Sequence, residues 1–186
     1  MRIMAAILMQ EDFVVQTYGF EKSSIIGSPL TTTKHLEEWG IDEFLLIQKD
    51  SSFPHLVKNL TSIISDTSTP ITVSGGLDSF EKCSELIKSG ADRVCIQSLL
   101  FDKFDAVEKL SDTFGGQSIT VKFDIIPQEG RLRSLSNLTN IKFIEYFNAT
   151  SKRLNSFDIK DLLFYDVNAD GHQADPDFTL LTKLDL

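Results

Sequence analysis

Cysteine is scarce in this chain of 186 residues. The two present, Cys83 and Cys95, fall in a helical pattern and inside a strand-like run. They read as small buried residues, not a disulfide, which suits a reducing, cytoplasmic compartment. Basic clusters are absent and the formal net charge is −9, which argues against nucleic acid and anionic membranes as partners. Long hydrophobic runs are also missing. The opening Met-Arg-Ile-Met-Ala-Ala-Ile-Leu-Met carries one charge and runs into Gln10-Glu11-Asp12. It is too short for a transmembrane helix and a poor signal peptide, so it reads as a buried strand. The three His and two Cys residues show no metal-ligand spacing, and no metal or cofactor is implied.

What is present is ordinary for a soluble globular protein: 41% hydrophobic and 24% charged residues, with 14 Phe. The length suits a single domain over residues 1–186 with a sizeable core. Extended and helical patterns alternate. Ile3–Met9 is a strand buried on both faces, and Phe13–Tyr18 a second extended piece. Ser28-Pro29 opens a helix carrying Leu30, Leu36 and Trp39, which ends at Gly40. Strands follow at 43–47, 71–73, 93–96, 118–126 and 162–167. Helices are expected from Pro54, over Phe80–Lys88, through Phe104, Val107 and Leu110, from about Asn140 to Asn155, and over Pro176–Leu184. Residues 128–139 read as polar and irregular.

Two features organise this order. Ile71-Thr-Val-Ser-Gly-Gly-Leu-Asp-Ser79 reads as strand, glycine turn, helix start. Such a turn lets backbone N–H groups approach an anion, although a plain βα turn needs glycine for geometry alone. The second is a repeat. Gly40-Ile-Asp-Glu-Phe-Leu-Leu-Ile matches Gly90-Ala-Asp-Arg-Val-Cys-Ile, with a weaker third copy at Phe157-Asp-Ile-Lys-Asp161. Repeated helix–Gly–strand units imply a parallel sheet of about six βα units, and equivalent units favour a barrel over an open sheet.

On these pieces the chain resembles the histidine-biosynthesis barrel family, and within it the cyclase subunits of imidazole glycerol phosphate synthase. The matching stretches are Arg2-Ile3, Ile26-Gly-Ser-Pro29, Ile71–Leu77, Ser89–Ser98, Asp124 and Asp170-Gly171. The resemblance implies a (β/α)8 TIM-barrel fold, here incomplete, that binds a substrate phosphorylated at both ends. Gly75, Gly76 and Ser98 would serve one phosphate, and Asp170 and Gly171 would border the other. Asp124 matches a catalytic acid/base carboxylate at the C-terminal end of a barrel strand. Arg2, Glu43, Arg93 and Asp161 match a charged ring that admits ammonia from a glutaminase partner through the opposite mouth.

Departures qualify this. The family's catalytic Asp of strand one falls on Leu8, which cannot transfer a proton. Gln16 stands where a Lys is expected, Gln48 where an Asp is, and Ser74 replaces a Gly. His172 replaces a Thr. The family runs to about 250 residues. A shortened wall with two open edges implies a fragment, or a reduced homologue that self-associates. Loss of the strand-one Asp favours an ammonia-accepting barrel of a glutamine-dependent amidotransferase that modifies a phosphorylated sugar-derived substrate, as in surface-polysaccharide synthesis. The alternatives are the histidine-pathway cyclase, a lyase, in truncated or degenerate form, and a non-catalytic phosphate-ligand or scaffold protein.

Overall fold

A computed structural model describes residues 2–19, 21–133, 141–159, 161–172 and 175–184. The parallel strands are β1 (Met4–Gln10), β4 (Glu43–Gln48), β5 (Ile71–Ser74), β6 (Arg93–Ile96), β7 (Ile119–Ile126) and β9 (Asp161–Asp166), paired in that order. Helices α1 (Pro29–Glu38), α2 (Phe53–Ile64), α3 (Phe80–Lys88), α4 (Ser98–Asp102), α5 (Phe104–Phe114) and α6 (Phe143–Ser156) lie between them. This is an incomplete (β/α)8 barrel. Antiparallel additions flank it: β2 (Phe13–Tyr18) and β3 (Lys22–Gly27) extend from β1, and β8 (Arg131–Leu132) adds to β7. Among the described residues no ladder joins β9 to β1.

Strand alternation divides each strand between two cores. Phe44, Leu46, Val73, Val94, Val121 and Phe123 face outward and pack beneath the helices. Leu45, Ile47 and Cys95 face inward and form a small second cluster with Met4, Leu8 and Leu163. Helix α6 is held by aromatic contact: Phe123, Phe143, Phe147 and Phe164 meet pairwise with ring centroids 5.6–6.1 Å apart. Both cysteines are buried and unbridged. Burial pushes the Cys83 thiol up to about 12 and the Cys95 thiol up to about 11.

The sequence repeat has a physical basis. Gly40 and Gly90 both take positive φ at the ends of α1 and α3. The aspartate two residues on then clamps the start of the preceding strand. Ile3 N–H donates to the Asp42 carboxylate at 2.7 Å, and Ile71 N–H donates to the Asp92 carboxylate at 2.8 Å. The third copy is weaker because Asp158 holds the left-handed position that glycine fills elsewhere. Helix starts follow their caps: the Ser28 and Ser79 hydroxyls accept from Thr31 and Lys82 N–H, each at 3.3 Å.

Several expectations are corrected. Strand β3, helix α4 and strand β8 carry no clear period and were not expected. The expected last helix is a 3-10 turn limited to Thr179–Lys183. Helix α1 ends at Glu38 with Trp39 as its C-cap, one residue short of the expected span, and the Trp39 side chain is 79% exposed. Asn140 and part of the polar stretch at 128–139 lie outside the described residues.

Phe123→Ala removes the ring that the other three share and should lower stability by roughly 3–5 kcal/mol. Phe13→Ala, at an exposed site, should stay within about 0.5 kcal/mol. Urea unfolding of both variants at constant m checks the contrast.

Candidate functional site

The inward face of the barrel carries polar groups at each mouth and apolar groups between. At the N-terminal mouth, Arg2, Glu43, Arg93 and Asp161 stand at the starts of β1, β4, β6 and β9. All four meet in one closed ring of alternating charge. Glu43 contacts Arg93 at 2.8 Å and Arg2 at 3.5 Å. Asp161 contacts Arg93 at 3.3 Å and Arg2 at 3.9 Å. Glu43 is buried, and its carboxylate also accepts from the Thr72 hydroxyl at 2.6 Å. Arg93 additionally donates to the Gln117 carbonyl at 3.1 Å. Above the ring lies a small void of about 70 Å³ beside Thr72 and Thr120. The apolar layer of Leu45, Ile47, Cys95 and Leu8 follows.

At the C-terminal mouth a cleft of about 200 Å³ is lined by Gly75, Gly76, Ser98, Gln97, Lys122 and Asp124, among others. Three of the expected phosphate residues and the expected carboxylate therefore share one cleft. Gly75 and Gly76 are at positive φ, and a Cβ on either would sit 2.2 or 2.6 Å from the Gln48 or Ser51 carbonyl oxygen. The turn thus needs glycine for its close approach to the neighbouring loop, whether or not an anion binds. The Ser98 hydroxyl donates to the Leu77 carbonyl at 3.3 Å.

Asp124 is buried, and Lys122 faces it from two residues earlier on the same strand face. The ammonium lies 2.9 Å from one carboxylate oxygen and 3.2 Å from the other. Leu8, where the resemblance leads one to expect an Asp, packs with Ile47 and Cys95. The ionisable partner of Asp124 is therefore a cation. Gln48 is buried, and its amide donates to the Glu11 carbonyl and to Asp50 at 3.2 and 2.7 Å.

Asp170 and Gly171 lie apart from this cleft. The Thr17 and Tyr165 hydroxyls donate to the two Asp170 carboxylate oxygens at 2.8 and 2.5 Å. The Tyr165 hydroxyl is pushed up, first by burial and then by that bond. Gly171 takes positive φ against Thr17, whose carbonyl oxygen would sit 2.1 Å from a Cβ there. Together they fasten the β2–β3 hairpin. Beside them an open hollow of about 530 Å³ is lined by Lys22, Arg133, Asn168 and His172. His172 meets the Tyr18 ring edge-on at 6.3 Å. Gln16 sits on β2 opposite Ser24.

Sequence reading missed Lys122, Arg133 and Gln97. Lys122 had a signal, since Thr120, Lys122 and Asp124 mark a polar period of two within an apolar strand. Arg133, which lines both the cleft and the hollow, had none in its irregular surroundings. Among the described residues no group of three His, Cys, Asp or Glu side chains is placed to hold a metal ion. None of the described helices is long and apolar enough to cross a membrane.

A sequence profile described as "Histidine biosynthesis protein" matches residues 2–185. The chain belongs to this family. An imidazole glycerol phosphate synthase subunit HisF from Exiguobacterium is 26% identical over 98% of this chain and 73% of its own length. A putative imidazole glycerol phosphate synthase subunit hisF2 from Vibrio vulnificus is 28% identical over 84% of this chain and 62% of its own length. The HisF subunit of Saccharolobus solfataricus is 26% identical over 98% and 74%. These names support the histidine-pathway alternative better than the sugar-modifying branch that Leu8 favours.

Glu43 is the buried centre of the ring, whereas Asp161 is 39% exposed. Glu43→Ala removes the buried carboxylate that Thr72, Arg93 and Arg2 share and should cost roughly 3 kcal/mol. Asp161→Ala should cost below about 1 kcal/mol. Urea midpoints of the two variants measure the difference.

Proposed function

We propose that this chain is a cyclase-type, ammonia-accepting barrel subunit of a glutamine-dependent synthase, acting on a phosphorylated substrate. The observation that carries this reading is the closed ring of Arg2, Glu43, Arg93 and Asp161 across one mouth. Its charges satisfy one another, so a small neutral molecule meets no net charge when the ring parts. Behind it, the layer of Leu45, Ile47, Leu8 and Leu163 disfavours an ammonium ion, whose desolvation is costly, and admits ammonia. A glutaminase subunit seated over the ring is the partner this path calls for. The two buried thiols suit a cytoplasmic setting.

At the other mouth the substrate's phosphate would lie against Gly75, Gly76 and Ser98, which border the same cleft as Asp124. Asp124 would then move the proton at the reacting carbon or nitrogen. Leu8 supplies no second carboxylate, so proton transfer in the cleft would fall to Asp124 and its neighbour Lys122. That departure favours a second reading, in which ammonia goes to a phosphorylated sugar derivative instead. The hollow beside Arg133 and His172 would receive the far end of either substrate.

Complementation of a cyclase-deficient histidine auxotroph, with a glutaminase subunit co-expressed, tests the proposal. Growth is the expected result. Failure to grow, together with glutamine-dependent amination of a phosphosugar in vitro, moves the assignment to the second reading. Ligand binding without turnover leaves a non-catalytic protein. Asp124→Asn should abolish growth or turnover at unchanged expression; an unchanged rate removes Asp124 from the mechanism.

A further inference from the structure

Lys122 is a charged amine inside the barrel with a side-chain exposure of 8%. It lines the cleft that holds Gly75, Gly76 and Ser98. Its ammonium contacts both oxygens of the Asp124 carboxylate and lies 5.9 Å from the centre of the Tyr165 ring. Below it is the apolar layer that includes fully buried Cys95. A buried ion pair is rarely a better source of stability than apolar side chains of equal volume. Lysine amines are the side chains that form imines with carbonyl compounds, and here a carboxylate that can take the proton is in contact with one on the wall of a cleft.

We propose that Lys122 is a nucleophile that forms an imine with the carbonyl carbon of a phosphorylated aldehyde or ketone bound in this cleft. The ligand's phosphate would rest on the Gly75–Gly76 turn, and its carbonyl would reach Lys122. As the ligand displaces water, Asp124 takes one proton from the ammonium. The free amine attacks the carbonyl carbon, and the C=O π electrons move to oxygen. Asp124 returns its proton to that oxygen, giving a carbinolamine. A proton then passes from nitrogen to the hydroxyl by way of Asp124, the C–O bond breaks and water leaves. The product is the iminium, C=N–H⁺. One ammonium and one carbonyl become one iminium and one water, and Asp124 ends as it began. No oxidant or metal is required. The inference is independent of the ammonia path and uses the proposed phosphate subsite only to hold the probe.

The test is reductive trapping on the full chain. Glyceraldehyde 3-phosphate is added with sodium cyanoborohydride, which reduces the iminium to a stable secondary amine. Intact mass and peptide mapping locate the adduct. Lys122 should be labelled at least tenfold faster than any exposed lysine, and the label should be absent in Lys122→Arg, which keeps a cation beside Asp124. Asp124→Asn should slow labelling by a similar factor. Labelling confined to surface lysines, with Lys122 unmodified in the folded chain, overturns the proposal. Thermal unfolding with inorganic phosphate, run on the same sample, keeps the two ideas apart. A phosphate-dependent rise without an adduct at Lys122 overturns the imine and leaves the anion subsite standing. An adduct at Lys122 that forms equally well with unphosphorylated glyceraldehyde supports the imine and removes the subsite.

Discussion

Glu43 is the carboxylate on which the lower half of the barrel depends. It is buried at the start of β4, and three groups from three other strands converge on it: Thr72 from β5, Arg93 from β6 and Arg2 from ahead of β1. A lone carboxylate in that position would be costly to bury. Paired on both sides, it becomes the point that ties strand starts together where backbone ladders alone would leave the mouth open. Asp161 completes the circuit through the same two arginines from β9. The ring therefore has a structural reason to exist that is independent of the ammonia path proposed above. Charges that neutralise one another across a mouth hold it shut and present no net field to a neutral guest.

The interior above the ring is layered. Threonines follow the charges, then come Leu45, Ile47, Cys95 and Leu8, then Lys122 and Asp124 at the base of the upper cleft. Strand alternation produces the layering, since each inward residue is followed two positions later by another. Leu8 belongs to the apolar layer, and its presence changes the chemistry of the level above. With no second carboxylate, the ionisable neighbour of Asp124 comes from its own strand. Lys122 neutralises Asp124 at contact distance and puts an amine at the cleft. Leu8 below and the Lys122–Asp124 pair above are thus adjoining layers of one interior, apolar and then charged.

How much of this was legible depended on whether the signal was local. The Ser28-Pro29 helix start and the Gly40 and Gly90 stops act within a few residues and could be read from the chain, whereas the aspartates that follow were legible only as a repeat, since their clamps on Ile3 and Ile71 span 39 and 21 residues. The ring positions were legible because the repeat aligns strand starts and the family resemblance matches their charges. Strand β3 was not legible. Its Ile25 and Ile26 are both more than 60% exposed, so hydrophobic alternation is absent, and only pairing with β2 makes it a strand. Asp170 was legible as a residue of interest, but its partners were not. Thr17 lies 153 residues away, and nothing local marks that contact.

That long contact ties the turn after β9 to the β2–β3 hairpin. Among the described residues no ladder joins β9 to β1, and contacts near the two ends of these strands bridge them instead. Arg2 meets Asp161 at the lower end, and at the upper end Asp170 accepts from the Thr17 hydroxyl while its carbonyl accepts from Gly19 N–H at 3.1 Å. Arg133 also donates to the Gly19 carbonyl at 3.1 Å, which draws the hairpin toward β8. Side-chain contacts of this kind are weaker and more exposed than a ladder, so this seam is held less firmly than the paired strands. The ring below shares Arg2 and Asp161 with the seam, and the hollow above shares Arg133. Arg2 and Asp161 therefore count twice, in the ring and in the seam, and loss of either weakens both.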